Sequence, residues 1–287
     1  MAANLWKNYG EIENNGIDDD GNGFIDDYHG WDTGSNSDAV GDGGGHGTPV
    51  AGIVGAVGNN GVGVAGVNWD VKLMIVQGGT GIESEVLEAY SYPLVARKAY
   101  NETDGEEGAF VVSTNASWGI DQGQPADAPL WCSFYDTLGV HGIISCGATA
   151  NANFNIDIVG DLPTGCSSEY LISVTNMNDN DVKVTSAGFG ATTIDLGAFG
   201  QGTFTTTLSN YGGFGGTSGA TPHVTGSVAL LYSAPCPTLI SIAKSDPLVA
   251  AQMVRDFILN EADPNPSLAG ITVTGGRLNI NLSLIHI

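Results

Sequence analysis

Short apolar runs of strand length alternate with longer segments of helical periodicity along most of this 287-residue chain. In residues 83–100 apolar side chains recur at helical spacing despite Pro93, which is typical of an amphipathic helix. Strands that alternate with helices form βαβ units, so the pattern predicts a single α/β domain with a parallel sheet. The predicted strands are residues 71–76, 109–114, 142–146, 171–175 and 192–196, and the predicted helices are 46–57, 83–100, 130–138, 217–232 and 248–260, with loops over 1–45.

The composition excludes several classes of protein. Asp and Glu number 31 against 8 Lys and Arg, which gives a formal charge of −23. Such a chain repels a phosphate backbone and an anionic membrane surface, so we expect neither nucleic-acid nor membrane partners. We also expect the protein to be a monomer. No run of about 18 apolar residues suggests a transmembrane span, and the first ten residues lack a signal-peptide pattern. The four cysteines lack metal-site spacing, and Cys132 with Cys166 is the favoured pair if one disulfide forms.

One serine lies between glycines at the start of an apolar helical segment, in the window GGTSGATPHVTG of residues 215–226. Helix N-termini present free N–H groups and the positive end of the helix dipole. Ser218 is therefore placed so that its own backbone N–H can stabilise a tetrahedral intermediate. A serine that only caps the helix explains this window as well. The esterase pattern GxSxG is not met, because Ala220 replaces the last glycine.

A second window, DGGGHGTPVAG of residues 42–52, places His46 where a glycine-rich loop enters a helix of small residues. Together the two windows resemble the HGTxVAG and GTSxAxPHVxG signatures of subtilisin-like serine peptidases, the subtilases. The resemblance implies a three-layer α/β/α fold with a mostly parallel central sheet. It also implies that Ser218 is the nucleophile and His46 the general base, in the order along the chain that subtilisin has.

The resemblance also implies an oxyanion donor. Residues 142–151, GIISCGATAN, align with the family's strand and Asn motif, with Ala150 in place of the usual glycine. Asn151 is therefore the expected donor, although Asn153 and Asn155 lie close by. An asparagine that only caps the turn after the strand is the structural alternative.

Substrate contacts follow from the same resemblance. Ser117, Trp118 and Gly119 resemble the edge segment whose backbone pairs with an extended peptide. With Gly147 and Ala148 they would form the pocket for the residue before the scissile bond. Their small, uncharged side chains favour a large apolar residue there, and Trp118 could equally be a core residue.

The third member of a catalytic triad is difficult to place. The family's Asp ends an apolar strand similar to VAVIDTG, whereas the only DTG here starts at Asp32, preceded by YHGW and only 14 residues before His46. Asp42 and Asp70 fit no better. We therefore expect the catalytic Asp on a strand upstream of residue 1, which makes residues 1–282 an N-terminally truncated catalytic domain of low activity. Residues 283–287 fit nothing in the family and are interpreted as a possible artefact.

An acidic loop over residues 14–29 has the DxDxNG spacing of a calcium-binding loop. Alternate side chains there would converge on one ion, and Gly23 would allow the sharp turn of the loop. A backbone carbonyl and carboxylates after the turn would complete the coordination of the ion. A merely solvated acidic turn is the alternative. The predicted ligands are Asp18, Asp20, Asn22, Phe24 through its carbonyl, Asp26 and Asp27.

The sequence thus predicts a calcium-stabilised serine endopeptidase that acts on polypeptides and needs no organic cofactor. Secretion is expected from the family and from the acidic composition. A catalytically silent relative that binds peptides is the main alternative, and a serine esterase is disfavoured by the missing GxSxG.

Overall fold

The computed structural model describes residues 2–41, 45–78 and 81–285. Short 3-10 helices lie at Ala2–Asn4 and Pro125–Asp127. The α-helices are α1 (Gly47–Gly55), α2 (Glu83–Glu102), α3 (Pro129–Val140), α4 (Ile156–Val159), α5 (Thr217–Ser233), α6 (Pro237–Ser245), α7 (Pro247–Asn260) and α8 (Ile280–Ile285). The strands are β1 (Trp31–Asp32), β2 (Val76–Gln77), β3 (Ser113–Ala116), β4 (Ile120–Asp121), β5 (Ile144–Ala148), β6 (Asp161–Leu162), β7 (Leu171–Met177), β8 (Leu196–Phe199), β9 (Thr203–Thr206), β10 (Tyr211–Phe214), β11 (Asp263–Pro264) and β12 (Gly276–Arg277).

The central sheet has the strand order β11-β12-β8-β7-β5-β3. Every pairing in it is parallel except that of β11 with β12 at one edge. Each residue of β7 is buried, as expected for a parallel strand with helices on both faces. The predicted α/β fold with a mostly parallel sheet is therefore confirmed.

Two apolar clusters cover the two faces of this sheet. Ile172 and Val174 point to one face, where they pack in a cluster with side chains of α5 and α7. Leu171 points to the other face and packs in a cluster with side chains of α2 and α3. This alternation has the period of two expected of a strand and gives three layers. Among the described residues no single helix is long and apolar enough to span a membrane. The pair α5 and α6 would together meet the requirements of length and composition, but the two helices are bent by 100° relative to each other.

Residues 1–45 were expected to form loops only, but they contain a short strand. Trp31 and Asp32 form the short buried strand β1, which pairs in parallel with β2. Trp31 also stacks on Tyr92 and contacts Phe24 edge to face. Because β2 and Tyr92 are distant in sequence, nothing in the local pattern predicts the strand.

The predicted helices agree with the structure to within a few residues, whereas three strands are displaced. β2 occupies only Val76–Gln77, at the end of the predicted run 71–76. β3 starts four residues into the predicted run 109–114, because only from Ser113 onward does the segment pair with β5. β8 likewise starts at Leu196, at the end of the predicted run 192–196. The expected disulfide between Cys132 and Cys166 is present.

Candidate active site

A large cleft, here called the central cleft, lies between residues 71–78, which end in β2, and β3 at the edge of the central sheet. Both segments line it, and its volume is about 1410 Å³. His46 and side chains at the start of α1 lie along it, and α2 contributes Tyr90 and Pro93. Protein interiors are close-packed, so a cavity of this size beside a sheet edge is exceptional.

The β2 side of the central cleft is a strand edge. Leu73, Ile75 and Gln77 exchange backbone hydrogen bonds with the N-terminal segment and with the β1 region. Because backbone polar groups alternate in direction along a strand, those of Met74 and Val76 point away from these partners and toward the cleft.

The β3 side of the central cleft is a strand edge as well. The Val112 carbonyl accepts a hydrogen bond from Ile144 N–H, so the even-numbered residues of this segment pair with β5. The backbone groups of Ser113 and Asn115 therefore lie on the side away from β5. Within the described part of the chain, the central cleft thus has an open strand edge on each side.

Ser218 is the second residue of α5, and it is half-buried at the helix N-terminus. Its Oγ donates to the Ser117 carbonyl at 3.1 Å, and Ser117 Oγ donates to the Ser218 carbonyl at 3.0 Å. These bonds tie the nucleophile candidate to the segment after β3. Ser218 lies in the first turn of α5, at the positive end of the helix dipole, which favours negative charge there.

Asn151 lies beside Ser218, after the end of β5. Its Oδ1 accepts from Thr217 N–H at 3.0 Å, which leaves the Nδ2 group to donate elsewhere. Gly216 allows this approach: its φ is +75°, and a Cβ there would lie 2.7 Å from Asn151 Oδ1. The structure therefore brings the predicted nucleophile and the predicted oxyanion donor together.

His46 directly precedes α1, and its side chain is exposed. Its ring packs against that of Phe214 in β10, with 5.3 Å between the ring centroids. Phe214 lies four residues before Ser218 in the chain. The β9–β10 hairpin is held on α1 by hydroxyls of Thr205 and Thr206, which donate to α1 carbonyls. The two candidates thus lie in one neighbourhood, but within the described contacts Ser218 Oγ bonds to Ser117 and not to His46. Catalytic hydrogen bonds are often long without substrate.

No carboxylate among the described residues hydrogen-bonds to His46. The carboxylate of Asp32 accepts from Gly34 N–H and Ser35 Oγ in its own loop and from Gln77 Nε2 of β2. Asp70 is exposed, and Asp42 lies outside the described residues.

A small pocket, here called the serine pocket, opens beside Ser218. Its lining includes the predicted nucleophile, the predicted oxyanion donor and all of the predicted substrate-binding residues except Gly147. Gly147 is buried in β5, where a Cβ would lie 2.9 Å from the Pro163 side chain. Trp118 both lines the pocket and stacks on Trp131 at 5.4 Å, so its two interpretations are compatible. The lining residues are Ser117, Trp118, Gly119, Asp121, Ala148, Thr149, Ala150, Asn151, Asp161, Thr217 and Ser218.

Sequence reasoning missed Asp161 in the serine pocket. This residue begins β6 and is 1% exposed, and Thr164 Oγ1 donates to its carboxylate. Burial raises the pKa of Asp161 to about 7. No motif spacing relates it to Ser218, although an acidic residue within the apolar stretch before Pro163 was a usable signal.

Three carboxylates, two in the acidic loop and one just before it, could hold one cation. Glu11, Asp18 and Asp20 each place an oxygen within 4.8 Å of the others. Oxygen donors of this kind are the ligands that calcium prefers, so the residues fit that ion. Glu11 was not predicted, because it precedes the DxDxNG segment.

The other predicted calcium ligands have hydrogen-bonded or packed roles in the structure. Asn22 Nδ2 donates to Asp20 and to Asp27, which is fully buried. Asp26 accepts from two backbone N–H groups of residues 15–16, and the ring of Phe24 packs in the aromatic cluster of Trp31. These contacts order the loop around the three carboxylates.

Comparison with known proteins gives consistent relatives. Residues 4–276 match the model of the subtilase family. Subtilisin-like protease 1 of Plasmodium vivax is 28% identical over 283 residues, which cover 92% of this chain and 41% of that protein. An extracellular protease of Xanthomonas campestris pv. campestris is 30% identical over 71% of this chain and 35% of its own length. Thermitase of Thermoactinomyces vulgaris is 28% identical, over 71% of this chain and 67% of its own.

Solved structures agree on the fold. A protease from Pseudoalteromonas arctica superposes with a TM-score of 0.65 at 23% identity, over 84% of this chain and 70% of that one. A cold-adapted subtilisin-like serine proteinase gives 0.60 at 22% identity, over 87% and 78%. The chain spans well under two thirds of the length of the Plasmodium and Xanthomonas relatives. With the family match over nearly its whole length, the chain belongs to the subtilase family.

Proposed function

We propose that this chain is the core of a secreted serine endopeptidase that cleaves polypeptides. The observation that carries the proposal is the juxtaposition of Ser218 and Asn151 at the N-terminus of α5, within a pocket that opens beside an extended segment. Relatives named as proteases, one of them extracellular, support the reaction class and the location.

In the proposed reaction, Ser218 Oγ attacks the carbonyl carbon of the scissile bond while His46 accepts the hydroxyl proton. Asn151 Nδ2 and the Ser218 backbone N–H donate to the oxyanion. His46 then returns the proton to the leaving amine, and water releases the acyl group by the same steps. Residues 117–119 would pair with the backbone of the substrate.

We further propose that the central cleft receives one more β-strand, with a carboxylate at its end near His46. The open strand edges of the β2 segment and of β3 supply donors and acceptors for such a strand, and the apolar walls supply its packing. The carboxylate would hold the imidazole in the correct tautomer and stabilise the imidazolium. Without it we expect weak activity.

Calcium bound at Glu11, Asp18 and Asp20 would neutralise the mutual repulsion of these carboxylates and hold the loop in place. This role is structural, because the loop belongs to the β1 side of the molecule and contributes nothing to the serine pocket.

The test is casein hydrolysis by the purified chain in calcium, alone and with a soluble peptide containing VAVIDTG. The control peptide has Asn in place of Asp, and Ser218→Ala is the control protein. We expect slow turnover alone and a large gain with the Asp peptide only, since loss of the Asp in subtilisin costs about 10⁴-fold in turnover. Rapid hydrolysis without peptide would contradict the proposed need for the strand. Binding of the Asp peptide without any turnover would favour the silent, peptide-binding alternative.

A further inference from the structure

We propose that the serine pocket selects a basic side chain, lysine above all, immediately before the scissile bond, with Asp161 as the residue that determines this specificity. The inference rests on the proposed peptidase function, since it assigns the substrate class of that same site. It replaces the expectation of a large apolar residue there.

The position of Asp161 supports this selection. Asp161 and Ser218 line the same pocket, so a side chain that enters beside the nucleophile reaches a buried carboxylate. The neighbouring strand adds a second carboxylate, because Asp121 in β4 is the register partner of Asp161 in β6. Both residues belong to the lining, which gives the pocket a negative end.

The charge of the serine pocket is uncompensated within the described residues. Its lining contains no Lys, Arg or His, and the groups that donate hydrogen bonds to the Asp161 carboxylate, the Thr164 hydroxyl and the Ala150 N–H among them, are neutral. A buried carboxylate without a cation is costly, and an incoming ammonium group removes that cost. Thr149 Oγ1, also in the lining, is buried without a well-formed hydrogen bond and offers a further polar contact to a ligand.

The size of the serine pocket favours a slender side chain. The pocket is small, with a volume of about 60 Å³. Lysine places a compact charge at the end of a flexible four-carbon stem, whereas the planar guanidinium of arginine needs more width. A lysine side chain therefore combines the required charge and shape.

The experiment measures binding rather than turnover, so that it does not depend on catalytic competence. Peptide amides ending in Ala-Ala-Pro-Lys or Ala-Ala-Pro-norleucine, which differ only in the terminal ammonium, are titrated into Ser218→Ala at pH 8. Fluorescence of Trp118, which lines the pocket, reports binding. We expect the Lys peptide to bind about tenfold tighter or more, as for a hydrogen bond to a charged group.

Asp161→Asn should bring the two affinities close together, while Asp157→Asn should leave their ratio unchanged. Asp157 lies on the nearby α4 and accepts hydrogen bonds from Thr192 and Thr193 outside the pocket. Its substitution therefore removes the same charge without changing the pocket. Equal affinities in the parent protein, or an unchanged ratio in a folded Asp161→Asn variant, would overturn the inference. Selective binding without any casein hydrolysis would instead refute only the proposed peptidase activity.

Discussion

Replacement of Gly216 by alanine tests the geometry of the candidate site at its tightest point. Gly216 has φ +75° and precedes α5, and a Cβ there would approach Asn151 Oδ1 to 2.7 Å. Gly202 is a matched control, because its φ is +76° and a Cβ there would meet no atom within 4 Å. Both alanine variants therefore have an unfavourable positive φ, and only Gly216→Ala also collides with Asn151.

The magnitudes follow from these contacts. Left-handed backbone at a non-glycine residue costs about 1–2 kcal/mol, so Gly202→Ala should lose about that much stability. Gly216 has a ψ of −174°, a backbone region that is essentially restricted to glycine and costs about 1–3 kcal/mol for another residue. Asn151 is a side chain that can swing away, so the collision in Gly216→Ala should add only about 1 kcal/mol, for the broken bond to Thr217 N–H. Reactivity should respond far more, because loss of one oxyanion donor costs about 10²–10³-fold.

The assay is the rate of fluorophosphonate labelling with the VAVIDTG peptide present, together with urea denaturation followed by circular dichroism. Gly216→Ala should label as slowly as Asn151→Ala, and the double variant should be no slower than either, because both changes remove the same donor. Gly202→Ala should label at the parent rate. Equal labelling of Gly216→Ala and Gly202→Ala would refute the assigned role of Asn151.

Three further outcomes are expected. EGTA should lower the Tm of the parent chain but not that of the double variant Asp18→Asn, Asp20→Asn, and an unchanged parent Tm would contradict the calcium site. Cys132→Ser should cost about 4 kcal/mol of stability in denaturation experiments, as expected for a disulfide that closes 34 residues, whereas Cys236→Ser, at a free cysteine, should cost much less. Because burial raises the pKa of folded Asp161 to about 7, the folded chain keeps a proton between about pH 4 and 7 that the unfolded chain releases, so stability should fall as pH rises through that range. In urea titrations at several pH values, Asp161→Asn should lack that part of the pH dependence. A variant with the same pH dependence of stability as the parent chain would contradict the raised pKa of Asp161.

The helices could be predicted from sequence because their signals are local. In α2 the apolar spacing continues through Pro93, and the structure has one helix from Glu83 to Glu102. In α5 the run of small and apolar residues corresponds to a helix that is buried along most of its length.

The strands around the central cleft were less predictable, since a strand exists only where another strand pairs with it. The apolar runs 71–76 and 109–114 both border the central cleft. Apart from a single bridge between Leu73 and Leu5, their strand pairing begins only at Val76 and at Ser113. Trp31 and Asp32, in contrast, form a strand through a partner more than 40 residues away.

The candidate site was predictable where a motif carried it. Ser218 and Asn151 lie together as the family resemblance implied, because each follows a motif that fixes its position relative to a helix or strand. Asp161 and Glu11 were missed, since each reaches its site through tertiary contacts that no spacing in the sequence encodes.

The most direct test of the central claim is mass-spectrometric mapping of fluorophosphonate labelling on the folded chain in calcium, with the VAVIDTG peptide present. We expect one labelled residue, Ser218, with labelling that is abolished in Ser218→Ala and strongly slowed in His46→Ala. A folded, peptide-bound chain that stays unlabelled, or one labelled at another residue, would contradict the assignment of Ser218 as an activated nucleophile.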